Sequence, residues 1–109
     1  MWIKLSQFKS DALHHGAILR FRASYPYENV VDLMVFEPIP FEGSMGLIVT
    51  TGFKAGLIAN ILPIESAFSS GRSVSRDWLL KSWSHWILPG SDSGEVFVLE
   101  NYMPPQLPE

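Results

Sequence analysis

Cysteine is absent from the 109 residues. That removes disulfide stapling, thiolate nucleophiles and thiolate metal ligands together, and it fits a reducing compartment. Charge is scarce as well: Asp, Glu, Lys and Arg make up 17% of the chain, with a formal net charge of −3. The cations Arg20, Arg22, Lys54, Arg72, Arg76 and Lys81 are scattered, so there is no basic stripe to track a phosphate backbone, and nucleic acid is not expected as a partner. No apolar run reaches the ~18 residues of a spanning helix. The opening MWIKLSQFKSDALHH has no unbroken apolar stretch of the kind a secretory leader carries. The expectation is a soluble, cytoplasmic protein that does not engage a membrane. Self-similarity at the ~20 to 50 residue period of solenoids and propellers is also missing.

What is present is apolar. Hydrophobic residues account for 47% of the composition and run from Trp2 to Tyr102, which excludes a disordered or low-complexity chain. A fold of this length buries roughly 60 to 70% of the surface its unfolded chain exposes, enough for one core. One globular domain over 1–102 is expected, with 103–109 (MPPQLPE) as an extended tail. With so few charged groups to keep outside, some apolar surface is expected to lie against a partner or a second copy.

The elements follow from periodicity. Residues Ser6 to His15 are polar with Leu5, Phe8 and Leu13 as apolar points, read as one short helix ending at Gly16. AILRFRA alternates, with Ala17, Leu19 and Phe21 on one face and Ile18, Arg20 and Arg22 on the other, a first strand. Tyr25-Pro26-Tyr27-Glu28-Asn29 is a turn. VVDLMVFE is a second strand, with Val31, Leu33 and Val35 opposite Asp32, Met34 and Phe36, and Pro38 and Pro40 end it. MGLIVTT and LIANIL, joined by Gly52-Phe53-Lys54-Ala55-Gly56, read as a hairpin. Apolar residues on both faces of these two strands predict that they are central. EVFVLENY is the fifth strand.

Between the fourth and fifth strands, Ser66 to Ser75 reads as a loop whose last serine caps a helix over SRDWLLKSWSHWILP. At helical spacing Leu79, Leu80, Trp83, Trp86 and Ile87 form one stripe, opposite Asp77, Lys81 and Ser84. Trp83 and Trp86 are therefore predicted to face the sheet, and Trp78, on the flank, to lie nearest the surface. The architecture is α+β: about five mostly antiparallel strands in one sheet, packed on one C-terminal tryptophan-rich helix.

Chemistry-bearing patterns are missing. His14 and His15 are adjacent and His85 is distant, so no pair has metal-ligand spacing. No serine sits in a G-x-S-x-G or S-x-x-K frame. Ser84 and His85, as neighbours on a helix, point about 100° apart. Gly43, Gly46, Gly52 and Gly56 flank strands and form no phosphate-binding pattern. No catalytic residue, metal site or cofactor is read from these residues. Two carboxylate groupings remain: Glu28, Asp32, Glu37 and Glu42 around the second strand, and Asp92, Glu95 and Glu100 around the fifth. Their plain reading is a solvated face. The sharper one is an acidic patch for a basic partner, anchored by Tyr25, Tyr27, Phe36 and Phe41. On charge and aromatic clustering, the partner-binding set is Tyr25, Tyr27, Glu28, Asp32, Glu37, Glu42, Asp92 and Glu95.

The order Trp2-x-Lys4-Leu5, Gly16-Ala17-Ile18-Leu19-Arg20-Phe21, Gly46-Leu47-Ile48-Val49, Gly52-Phe53-Lys54-Ala55-Gly56, Trp78-Leu79 and Trp83-x-x-Trp86-Ile87 resembles the immunity protein 45 family of bacterial polymorphic toxin systems. The resemblance runs over nearly the whole chain and rests on scaffold residues. It implies a cytoplasmic antidote, encoded beside a secreted toxin, that performs no reaction and protects its cell by covering the toxin's active site. Were that toxin a nuclease, an acidic patch would mimic phosphate. Two other classes stay open. A small enzyme assembled around a histidine would show a pocket holding that histidine near a carboxylate or serine. A homodimeric structural subunit would show a two-fold apolar surface.

Overall fold

The computed structural model describes residues 1–69 and 71–108. Residue 70, in the expected loop, and residue 109, the last of the expected tail, lie outside the described residues. Among the described residues eight strands form in chain order: β1 (Ile3–Lys4), β2 (Ala12–His14), β3 (Ile18–Arg22), β4 (Val30–Phe36), β5 (Gly46–Val49), β6 (Ile58–Ile61), β7 (Ser73–Ser75) and β8 (Phe97–Leu99). All five strands expected from alternation are among them, as β3, β4, β5, β6 and β8. Six strands make one sheet in the order β1-β8-β3-β4-β5-β6, every pairing antiparallel, and β2 pairs with β7 in a separate two-stranded sheet. The class is α+β, with helix α1 (Arg76–Ser82) extended by a π-helical turn at Trp83–Ile87.

Alternation assigns the faces as expected. Leu19, Phe21, Leu33, Val35, Leu47 and Val98 are buried in the core that contains Leu79 and Trp83 of the helical segment. Each such aliphatic side chain removed from water contributes about 1.5–3 kcal/mol. Trp83 is wedged edge-on against Phe21, with ring centroids 5.1 Å apart at 81°, and its Nε1 donates to Ser91 Oγ at 3.1 Å. The helix begins where expected: Ser75 Oγ accepts from the backbone N–H of Trp78 at 3.1 Å, and Asp77 stands in the first turn.

Several local readings change. The opening segment is not a helix ending at Gly16. It is a 3-10 turn at Leu5–Gln7 followed by β2, because β2 has a distant partner in β7, with Leu13 opposite Val74. Gly16 does adopt φ +91, but in the turn between two strands. The same pairing draws Ser73–Ser75 of the expected loop into a strand.

Trp86 is 41% exposed and does not join Trp83 in the core. The backbone N–H of Leu88 bonds to the carbonyl of Trp83, an i→i+5 link that widens the last turn and rotates the following residues off the stripe. Trp78, predicted nearest the surface, is instead packed against the core's edge and lies 6.0 Å from the Trp86 ring.

LIANIL is an edge, not a centre: β6 closes one side of the sheet. Its second apolar face is open to solvent. Across the sheet surface that turns away from α1, the register aligns Leu99, Ile18, Met34, Ile48 and Ile58 in one row. Among the described residues no helix is long and apolar enough to cross a membrane.

Candidate functional site

Two turns and one edge enclose the main concavity. The turn between β3 and β4 carries Tyr25, Pro26, Tyr27 and Glu28, and the β5–β6 connection carries Phe53, Lys54 and Leu57. Together with β6, with Ile87 at the end of the π-helical turn and with Leu88 beyond it, they line a groove of about 570 Å³. Its floor is the sheet, through Phe21, Val31, Leu33 and Val49. Tyr25 and Phe53 are 95% and 97% exposed on its rim, an unusual position for large aromatic rings.

The groove is held by local polar contacts. Glu28 Oε1 accepts from the backbone N–H of Phe53 at 3.1 Å and so ties one turn to the other. Lys54 Nζ sits 4.9 Å from the centroid of the Tyr27 ring. At the inner end Asn60 Nδ2 donates to the Trp86 carbonyl at 3.1 Å and links β6 to the π-helical turn. The ring of Phe53 is carried between two glycines in the left-handed region, Gly52 at φ +67 and Gly56 at φ +94, so a tight loop pushes it outward. The arrangement offers apolar and aromatic area with one carboxylate and one ammonium. It suits capture of a side chain.

The eight residues of the sequence-derived set do not form one patch. Tyr25, Tyr27 and Glu28 come together on the groove. Asp32 lies on the opposite sheet face and is 7% exposed. Arg20 grips it from β3, with Nε to Oδ1 at 2.8 Å and Nη2 to Oδ2 at 2.9 Å. That hydrogen bond holds the Arg20 guanidinium above its usual range, against a smaller opposing effect of burial. Glu37 pairs with Arg72, whose guanidinium lies 4.3 Å from the centroid of the Phe41 ring, and Glu42 is exposed in the following connection. Both follow the end of β4, beyond Val31 and Leu33 of the groove floor. Asp92 accepts from the backbone N–H of Gly94 at 2.9 Å in the 3-10 turn Ser93–Glu95, where Glu95 is exposed. That turn leads into β8, on the β1 side of the sheet and away from β6.

Phe53, Lys54, Leu57, Ile87 and Leu88 line the groove and were not among the expected residues. One signal pointed to them: an aromatic and a lysine enclosed by two glycines in a hairpin connection have no core to enter. No histidine lines the groove; His14, His15 and His85 are all exposed. Among the described residues no three His, Asp or Glu side chains are grouped so as to hold a metal ion.

Comparison with known proteins adds one match. The family model described as Immunity protein 45 matches residues 5–98. This range takes in β2 to β7 and the first two residues of β8, along with the helix and the groove, and leaves β1 outside. No curated protein and no solved structure matches the chain.

Proposed function

The chain belongs to the immunity protein 45 family, and from that premise we propose that it is the antidote to a toxin domain of a bacterial polymorphic toxin system, binding that domain through the groove beside β6 and covering its active site. The observation that carries this reading is the pair of exposed rings, Tyr25 and Phe53, on the rim of a groove tied open by the Glu28–Phe53 hydrogen bond. Exposed aromatics around a preformed pocket are the usual anchors of a tight protein interface. Occlusion needs roughly 800 Å² on each partner, so the surface around the groove contributes as well. Of the sequence-derived contacts, the reading keeps Tyr25, Tyr27 and Glu28 and adds Phe53 and Leu57.

The apolar lining favours insertion of a toxin side chain over mimicry of phosphate, because among the described residues Glu28 is the one carboxylate on the groove and Lys54 lines it too. A nuclease is therefore one candidate among toxin classes. On this reading the protein works in the cytoplasm as a single domain, performs no reaction, takes no cofactor, and binds neither nucleic acid nor membrane.

Co-expression with the toxin domain encoded beside its gene tests the reading through growth rescue and affinity purification. The variant Tyr25→Ser/Phe53→Ser is expected to weaken binding about 100-fold, a change of ~3 kcal/mol, with its unfolding midpoint unchanged. Undiminished rescue by that variant removes the groove from the mechanism. Failure of the wild-type chain to bind or protect against its neighbour removes the antidote reading itself.

A further inference from the structure

The segment 52–56 carries Phe53 and Lys54 of the groove wall, and all five of its residues are exposed, so no core contact holds it in place. Its root is fixed. The Asp32 N–H donates to Thr51 Oγ1 at 3.0 Å and the Thr50 N–H to the Asp32 carbonyl at 3.0 Å, so β4 pins the chain as far as Thr51. Beyond that point Gly52 and Gly56, at φ +67 and φ +94, stand at the two ends of the segment. Between them the Ala55 N–H donates to the Gly52 carbonyl at 3.2 Å and makes one compact turn, and the Gly56 N–H closes its base on the Val49 carbonyl at 2.7 Å. A compact turn between two glycines on a fixed root is built to move as a flap.

Two consecutive residues of the β3–β4 turn hold two consecutive residues of this flap. Glu28 Oε1 accepts from the Phe53 N–H at 3.1 Å, and the Tyr27 ring receives Lys54 Nζ at 4.9 Å from its centroid. Gly52 gives the carboxylate its seat: a Cβ at that position would overlap Glu28 Oε1 and lie 2.7 Å from its Cδ. The hold takes the backbone of Phe53 and the ring of Tyr27. It leaves the rings of Phe53 and Tyr25 unengaged, 97% and 95% exposed.

We propose that these contacts are a two-point clamp that orders the flap before any partner arrives, with Tyr27, Glu28, Gly52 and Lys54 as positioning residues and Tyr25 and Phe53 as the anchors they present. The inference rests on the antidote reading for its partner and on the free protein for its geometry. With the clamp released, the flap carries Phe53 away from Tyr25 and the groove loses a wall, so only the clamped fraction of molecules binds. Apparent affinity then scales with that fraction. Ordering the flap ahead of the encounter also removes an entropic cost from association. Loss of the clamp therefore slows association, whereas loss of a direct contact speeds dissociation.

Amide hydrogen exchange on the free protein, together with binding kinetics against the toxin domain encoded beside its gene, tests the clamp. In the wild-type chain the Phe53 amide is expected to be protected although its loop is exposed. Glu28→Ala is expected to lose that protection and to associate about 10-fold more slowly, with its dissociation rate unchanged. Glu28→Gln, which keeps an acceptor oxygen, is expected to recover most of both losses. Gly52→Ala is expected to match Glu28→Ala, because its methyl evicts the carboxylate, and to add little in the double variant. An unprotected Phe53 amide in the wild-type protein overturns the proposal. A Glu28→Ala defect carried by faster dissociation overturns it as well, since it makes Glu28 a contact, and so does a Glu28→Gln variant as slow as Glu28→Ala. If the wild-type chain does not bind its neighbour, the antidote reading falls, and exchange at Phe53 in the free variants decides the clamp by itself.

Discussion

Arg20 and Asp32 face each other across β3 and β4 and are joined by two N–H···O bonds of 2.8 and 2.9 Å. Trp2 lies 4.1 Å from the guanidinium by its ring centroid, so a cation, its carboxylate and an aromatic ring form one stack on the sheet face away from the helix. The fork geometry makes this a bidentate, charge-assisted contact. Arg20→Met is expected to lower stability by about 1–3 kcal/mol, because Asp32 stays buried without its partner. The figure is held down because the Arg20 side chain is part-exposed and screened. Arg20→Met/Asp32→Leu is expected to recover most of that loss in urea unfolding; a double variant no better than the single one would show that the pair is not what stabilises this face.

The two tryptophans of the π-helical turn should separate cleanly. Trp83→Ala removes the ring that packs on Phe21 and should cost about 3–5 kcal/mol. Trp86→Ala, on a half-exposed ring, should cost less than about 1 kcal/mol. Equal shifts of the urea midpoint would mean that the helix keeps a regular phase through this segment in solution.

Arg76 ties the first residues of the chain to the start of α1. Its Nη1 donates to the Phe8 carbonyl at 2.6 Å and its Nη2 to Asp11 Oδ1 at 3.0 Å. Lysine has no planar fork to reach both acceptors. Arg76→Lys is therefore expected to speed hydrogen exchange in β2 and β7 while leaving β3 and β4 unchanged. Uniform acceleration across all four strands would contradict this local role.

Gly46 lies beneath the Phe36 ring, and a Cβ added there would sit 2.5 Å from Phe36 Cε1. Gly46→Val is expected to destabilise the fold by about 1–3 kcal/mol through overpacking, with Phe36→Ala restoring part of it in the double variant. Additive losses in thermal unfolding would sever the link between the two positions.

Much of this fold was legible in the chain. Alternation in AILRFRA and VVDLMVFE located two strands and sorted their faces correctly, because a period of two reports side-chain direction directly. Ser75 marked the helix start, since a serine before an apolar-periodic run has a local role as a cap. Of the groove, only the turn residues Tyr25, Tyr27 and Glu28 were in view. Phe53 was hidden as a hairpin residue, and the grip of Arg20 on Asp32 was invisible while the two strands were read separately.

Residue order on its own determined the α+β class, five strands, the helix cap, and the scaffold pattern that resembles one family. Each of these depends on neighbours a few positions apart. Only the tertiary structure decided that LIANIL is an edge, that Ala12–His14 pairs with Ser73–Ser75, that Trp86 turns outward, and that five of the eight expected contact residues lie away from the groove. Those outcomes depend on which distant segment covers a given face, and a hydrophobic pattern reads the same whether its second face is buried by another strand or left open to water.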